Sequence, residues 1–290
     1  AVVLAVALGP LAPAAVPASA PAPPGVTAPR PLTSDGPLPL VYDFAGVAAA
    51  LYQGAPGLPG LATAPRAVRQ YPLGDPFPAD RWIGKVTHRE LAARSAQGMA
   101  ALLEQRMHRY TFGPELPAGM VAIDEVGAEA QDDGFGPRLL EAMRTLRRRR
   151  DPGTGEPLSR RVLLYAAPKM VANVGEANDR ELWDSGVAVA RMSGGVFLQM
   201  YHAEGGRVTG AATEAEWRDD LPRWRQEMGA DAGRLRVVFT GAGPSQDVQW
   251  AWAASTQAGR LALRAGAGAY RLGSAGVARA WLRNWNRYAR

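Results

Sequence analysis

Cysteine is absent from the 290-residue chain, so disulfides and thiolate metal sites are excluded. Histidine occurs only at His88, His108 and His202, too scattered for a His-rich metal centre, and no H-E-x-x-H is present. Neither a metal nor a cofactor is expected. The phosphate-cradling pattern G-x-x-x-x-G-K-[ST] is missing as well. Gly241-Ala242-Gly243 and Gly266-Ala267-Gly268 each lack the third glycine of a dinucleotide fingerprint and read as turns. No G-x-S-x-G elbow occurs, which argues against the usual α/β-hydrolase arrangement. Lysine is scarce too, appearing at Lys85 and Lys169 within a basic complement of 33 residues.

The formal charge of +6 is therefore almost entirely arginine, a bias that a GC-rich genome also writes and that carries little functional weight. The one basic run, Arg147–Arg150, closes a predicted helix, where it suits the negative end of the helix dipole. No aromatic residues interleave it, so no nucleic-acid partner is expected. Hydrophobic residues make up 47% of the chain and charged ones 21%, enough apolar material for a sizeable core without staples.

At the amino end, 1–11 is apolar and too short to span a bilayer of about 30 Å comfortably. Ala18-Ser19-Ala20 follows, with the small-x-small spacing of a secretory cleavage site. A basic leader and an initiating Met are missing, so the expectation is a truncated signal remnant over 1–20. Pro10, Pro13 and Pro17 oppose a buried helix there. Residues 21–39 are rich in Pro and read as an extended spacer, leaving one folded domain over 40–290. Export to the medium or the cell envelope is expected, without stable membrane insertion.

From residue 121 a unit of short apolar run plus longer helical run repeats five times. The apolar runs are Val121–Val126, Val162–Pro168, Val196–His202, Leu235–Thr240 and Ala267–Arg271. Helices are predicted from Pro137, Asn178, the Thr213–Glu216 capping box and Ser274, and a further capping box at Thr87–Glu90 opens what reads as the longest helix. Pro222 is expected to kink or shorten the helix that the Thr213–Glu216 box opens. Three earlier strands, Leu40–Phe44, Ala67–Tyr71 and Trp82–Val86, raise the count to eight, and eight such units close a (β/α)8 TIM-like barrel, irregular in its first third. The rival architecture is an open doubly wound parallel sheet.

Chemistry in either fold gathers at the carboxyl ends of the strands. Polar residues predicted there are Asp43, Tyr71, Asp124, Glu125, Tyr165, Gln199, Tyr201, His202, Tyr270 and Arg271, with Glu204 just beyond. Side chains alternate along a regular strand, so Asp124 and Glu125 fall on opposite faces. The arrangement that buries fewest polar groups against helices aims Glu125, Tyr165, Gln199 and Tyr201 inward and leaves Asp124 for the other side. His202 is a candidate proton shuttle or a satisfied structural histidine. His88 and His108, near helix ends, receive no role. Trp217, Trp224, Trp281 and Trp285 keep helical spacing and read as core; Trp250 and Trp252 are the candidates for a rim contact.

A carboxylate framed by Tyr, Gln and His at a barrel mouth resembles the layout of TIM-barrel glycoside hydrolases. Many of these carry an acid at the end of the fourth strand, and Ile123-Asp124-Glu125-Val126 ends the fourth strand here. The resemblance covers the body from about Leu40 onward as architecture and selects no family. It implies a poly- or oligosaccharide partner and a pair of carboxyl groups, one protonating the leaving oxygen and one acting as nucleophile or base. Glu125 is the expected acid. The second acid, which the largest clan takes from strand seven, is missing from Leu235–Thr240, and Asp43, Asp124 and Glu204 are the substitutes. A non-catalytic, extracellular glycan-binding barrel is the alternative, and an open-sheet hydrolase of another ester or phosphate class is a third reading. Oligomeric state is not set by the sequence.

Overall fold

The computed structural model describes residues 41–42, 54–55, 58–59, 67–68, 82–109, 119–126, 134–166, 177–204, 207–211, 214–240, 245–265, 267–270 and 275–288. The expected signal remnant and Pro-rich spacer lie outside these.

Eight strands form one parallel sheet in strict chain order. They are β1 (Val41–Tyr42), β2 (Ala67–Val68), β3 (Trp82–Thr87), β4 (Val121–Val126), β5 (Val162–Ala166), β6 (Gly195–Gln199), β7 (Leu235–Thr240) and β8 (Ala267–Tyr270). Each pairs in parallel with the next, and β1 comes into contact with β8, so the two ends of the sheet meet. The result is a (β/α)8 TIM-like barrel and not an open sheet, because an open order would leave the first and last strands apart. Its first third is irregular: β1 and β2 have two residues each, and a small antiparallel pairing of Gly54–Ala55 with Leu58–Pro59 lies between them in the chain.

The helices are α1 (His88–Ala92), α2 (Ala96–Arg109), α3 (Phe135–Arg148), α4 (Ala177–Met192), α5 (Glu214–Met228), α6 (Gln246–Ser255), α7 (Gln257–Ala265) and α8 (Ala275–Tyr288). The capping box at Thr87 is present in full: the Thr87 hydroxyl accepts from the Glu90 amide, and the Glu90 carboxylate accepts from the Thr87 amide. It does not open one long helix, however. Ser95 starts a second helix by accepting from the Gly98 amide, so the predicted element divides into α1 and α2. Arg106 of α2 reaches back to Glu90 at 2.9 Å and holds the two pieces together. Pro222 sits inside α5, which continues to Met228 and is not shortened. The basic run does close a helix, with Arg147 and Arg148 in the last turn of α3.

Period-two alternation along the strands feeds two separate cores. Val121, Ile123, Val126, Val162, Leu164, Val196, Leu198, Val237 and Phe239 point outward into a large core shared with the helices. Ile83, Ala122, Leu163, Tyr165, Phe197 and Val238 form a second, smaller core inside the ring. This division fixes which face of each strand is the barrel interior. In the outer core Phe239 stacks on Trp217 and on Trp250, with ring centroids 5.1 and 4.5 Å apart, and Trp250 meets Trp281 edge-on at 5.9 Å. Trp250 is fully buried in this stack, so the expectation of a rim contact is overturned: its helical spacing carries it to the outer core and not to the mouth. Trp252 is half-buried against the same core.

Candidate active site

Arg236, Lys85, Asp124, Tyr165 and Gln199 lie on the interior face, and their heights differ. Arg236 is lowest. Its Nε donates to the Ala265 carbonyl at 3.0 Å, and Nη1 to the Arg234 and Gly194 carbonyls at 2.9 and 3.5 Å. These carbonyls stand at the amino ends of β6, β7 and β8. The guanidinium also sits 5.6 Å from the centroid of the Phe197 ring. Burial lowers its pKa to about 10, which leaves it charged at neutral pH. Gly195 makes room for it, since a Cβ there would lie 1.7 Å from Arg236 Nη1. This end of the barrel is plugged by one cation whose donors are directed to backbone carbonyls.

Higher up, Lys85 of β3 and Asp124 of β4 form an ion pair with side chains 5% and 4% exposed. Asp124 follows Ala122 on the interior face and lies in register with Thr87 at the exit of β3. It does not face outward as the sequence reading supposed. The inference that Val121 and Ile123 share one face holds, but that face is the helix-side core, so the residues alternating with them are the ones inside. Asp124 does meet a neighbouring strand, through a lysine that sequence reasoning passed over.

The alternation also breaks at this point. Ile123 pairs with Leu164, yet Val126 pairs with Ala166, so Asp124 and Glu125 together stand opposite the single residue Tyr165. Such an insertion bends the strand, disrupts the ladder locally and re-aims side chains, and it recurs beside active sites. The premise that strand regularity keeps the two acids on opposite faces therefore fails here.

Tyr165 and Gln199 are both interior, as expected. Tyr165 belongs to the inner core itself. Gln199 follows Phe197 by two residues, is 6% exposed, and its Nε2 has no hydrogen-bond partner among the described residues. An unsatisfied buried amide costs on the order of 1–3 kcal/mol, so it is not there for stability.

Tyr201, His202 and Glu204 do not continue the sixth strand. After Gln199 the chain turns, with the Met200 amide donating to the Leu198 carbonyl at 3.0 Å. Tyr201–Glu204 then pairs antiparallel with Arg207–Ala211, a hairpin rising from the strand exit. Tyr270 ends β8 in register with Thr240 of β7. Asp43, Tyr71 and Arg271 lie outside the described residues. Thus the fold brings Asp124, Tyr165 and Gln199 onto adjacent interior strands, with Glu125 in the same bulge, and Tyr201, His202 and Glu204 into a neighbouring hairpin.

Among the described residues no group of three or more His, Asp or Glu side chains is arranged to hold a metal ion, and no helix is long and apolar enough to cross a membrane.

No family model matches the chain, and no curated protein matches it. Among solved structures it is similar to a GH18 chitinase from Pseudoalteromonas aurantia, with 12% sequence identity and a TM-score of 0.49, over 85% of this chain and 99% of that one.

Proposed function

We propose that the carboxyl end of the barrel processes a poly- or oligosaccharide through the acid pair at the exit of β4, with Glu125 protonating the leaving oxygen. The observation that carries this reading is the bulge, which puts Asp124 and Glu125 at one step of the ladder opposite Tyr165. Glycoside cleavage needs two carboxyl groups near one point. Asp124, already interior and paired with Lys85, is the best of the three candidate partners, ahead of Asp43 and Glu204. Its role is electrostatic, facing the positive charge that develops on the sugar ring; water then adds to the anomeric carbon and its proton returns to the Glu125 carboxylate. Tyr165 and Gln199 supply a hydroxyl and an amide on the same wall, the amide with donor capacity to spare. Polar groups of this kind orient sugar hydroxyls inside an otherwise apolar bowl. The amino-terminal pattern supports export, which places the protein where envelope or extracellular glycans are found.

A panel of glycans assayed for new reducing ends tests the reading. Glu125→Gln should reduce turnover on a responsive glycan at least about a thousandfold while the melting temperature stays within a degree or two, as removal of a general acid requires. Unchanged turnover removes Glu125 from the mechanism.

One observation favours a second reading, a barrel that holds glycan without cutting it. Asp124 is neutralised by Lys85, and β7 ends without an acid, so of the β4 pair Glu125 alone is left to act. Saturable glycan binding with no new reducing ends across the panel would select this reading.

A further inference from the structure

Away from the barrel mouth, beside the amino ends of β5 and β6, lies a cavity of about 500 Å³ between α3 and α4. Leu140, Arg144 and Arg147 line it from α3, at i, i+4 and i+7, one stripe of that helix. Ala188, Arg191 and Met192 line it from α4, and Ser159 and Arg160 from the turn that leads into β5.

Four arginines thus line one hollow, and two of them are held in place chiefly by backbone carbonyls. Arg160 Nη1 donates to the Arg191 and Ser193 carbonyls at 2.9 and 2.8 Å, and Arg191 Nε donates to the Glu227 carbonyl at 2.8 Å. Those are uncharged acceptors at the carboxyl ends of α4 and α5. They orient the forks and absorb the helix-end dipoles. Arg147 makes no ion pair among the described residues, and Arg144 is 3.5 Å from Glu141 on the solvent side. Asp231 is the one carboxylate lining the cavity; it stands 3.5 Å from Arg160 and also pairs with Arg234.

A second observation is independent of charge. Ser159 is 1% exposed, lines the cavity, and its hydroxyl has no hydrogen-bond partner. A buried hydroxyl with no partner among the described residues, in a cavity lined by four arginines, is a donor available to an acceptor. Planar forks match phosphoryl oxygens in bidentate fashion, and a concave wall focuses their field. We propose that this cavity binds a ligand carrying two or more phosphoryl groups, gripped by Arg144, Arg147, Arg160 and Arg191 with Ser159 donating from the floor.

Isothermal titration of the full chain with inorganic tripolyphosphate tests this, with orthophosphate as the single-group control and poly(glycerol phosphate) as a probe whose charges are spaced along a polymer. Saturable one-site binding of tripolyphosphate or of the polymer is expected, at least tenfold tighter than orthophosphate. The tighter of the two probes tells a free oligophosphate from a phosphodiester chain. The double substitution Arg144→Gln, Arg147→Gln should weaken binding at least tenfold, and Ser159→Ala at least threefold, each with its melting curve recorded alongside. Raising the salt concentration should weaken it steeply. The absence of saturable binding for both multivalent probes, or equal affinity in both variants, would overturn the proposal.

Discussion

At the amino end of the barrel interior, Arg236 directs its buried guanidinium to backbone carbonyls and to the face of Phe197. At the carboxyl end, Gln199 is buried too, yet its amide nitrogen is unpartnered, and the acids of β4 sit on a break in strand pairing. A polar group closed off by main-chain partners holds a structure together. A polar group left with unused capacity, on distorted backbone, costs stability and persists where a ligand completes it. The two ends differ in what their polar groups lack.

The largest effect that bears on this contrast is expected at Lys85. Lys85→Met leaves Asp124 buried without its lysine and should destabilise the fold by about 3–5 kcal/mol. Adding Asp124→Leu to it should recover most of that loss, because an apolar pair of similar volume is close to neutral in such a site. Chemical denaturation of the two variants makes the comparison. Equal instability in single and double variants would mean that the pair is not what holds this level of the barrel.

At the plugged end, Gly195→Ala drives a methyl group into Arg236 and should cost about 1–3 kcal/mol through overpacking, with glycan handling at the far end unaffected. Loss of glycan binding in a stably folded Gly195→Ala protein would blur the division between the ends. Gln199→Leu should do the reverse. Removing an unsatisfied amide should leave stability unchanged or raise it by about 1 kcal/mol, while glycan affinity falls. A clear drop in stability would show that the amide is structural after all.

The smallest effect is electrostatic and lies outside the barrel. Hydrogen bonds from Asn284 and Arg283 hold Asp247, in the first turn of α6, below the ordinary carboxylate value of 3.8. A depressed carboxylate contributes stability that is complete above that ordinary value and fades as the pH falls through the lower folded one. The stability difference between wild type and Asp247→Asn should therefore be steady above pH 5 and shrink toward pH 2. With the side chain 55% exposed, solvent screening keeps it below about 1 kcal/mol. A difference that grows on acidification would contradict the linkage.

Much of the fold was legible because local signals agreed with one another. The alternation of apolar runs with capped helical stripes predicts six of the eight strands to within a few residues, Trp82–Thr87 and Leu235–Thr240 among them. The two shortest strands were placed by count more than by pattern. The break at Ser95 was masked by the strong Thr87 cap, which starts a helix but says nothing of where it stops. At the site, the choice of residue types was readable and their orientation was not. Alternation gives two faces but no label for the inner one, and a bulge has no reliable sequence mark. One usable signal is Lys85: it alternates with Ile83 in an apolar strand of a chain with a single other lysine, which marks it as a residue set there for a partner. Trp250 misled because a tryptophan just past a strand exit fits rim and core equally well until the helix that carries it is seen to pack outward.

Side-by-side turnover of the wild-type protein, Asp124→Asn and Glu125→Gln on a glycan that the wild type cleaves is the most direct measurement. The account predicts loss of turnover in both, deepest for Glu125→Gln, which still binds substrate and keeps its fold, whereas Asp124→Asn also loses stability because Lys85 is left buried without its carboxylate. Full activity in Glu125→Gln would contradict it.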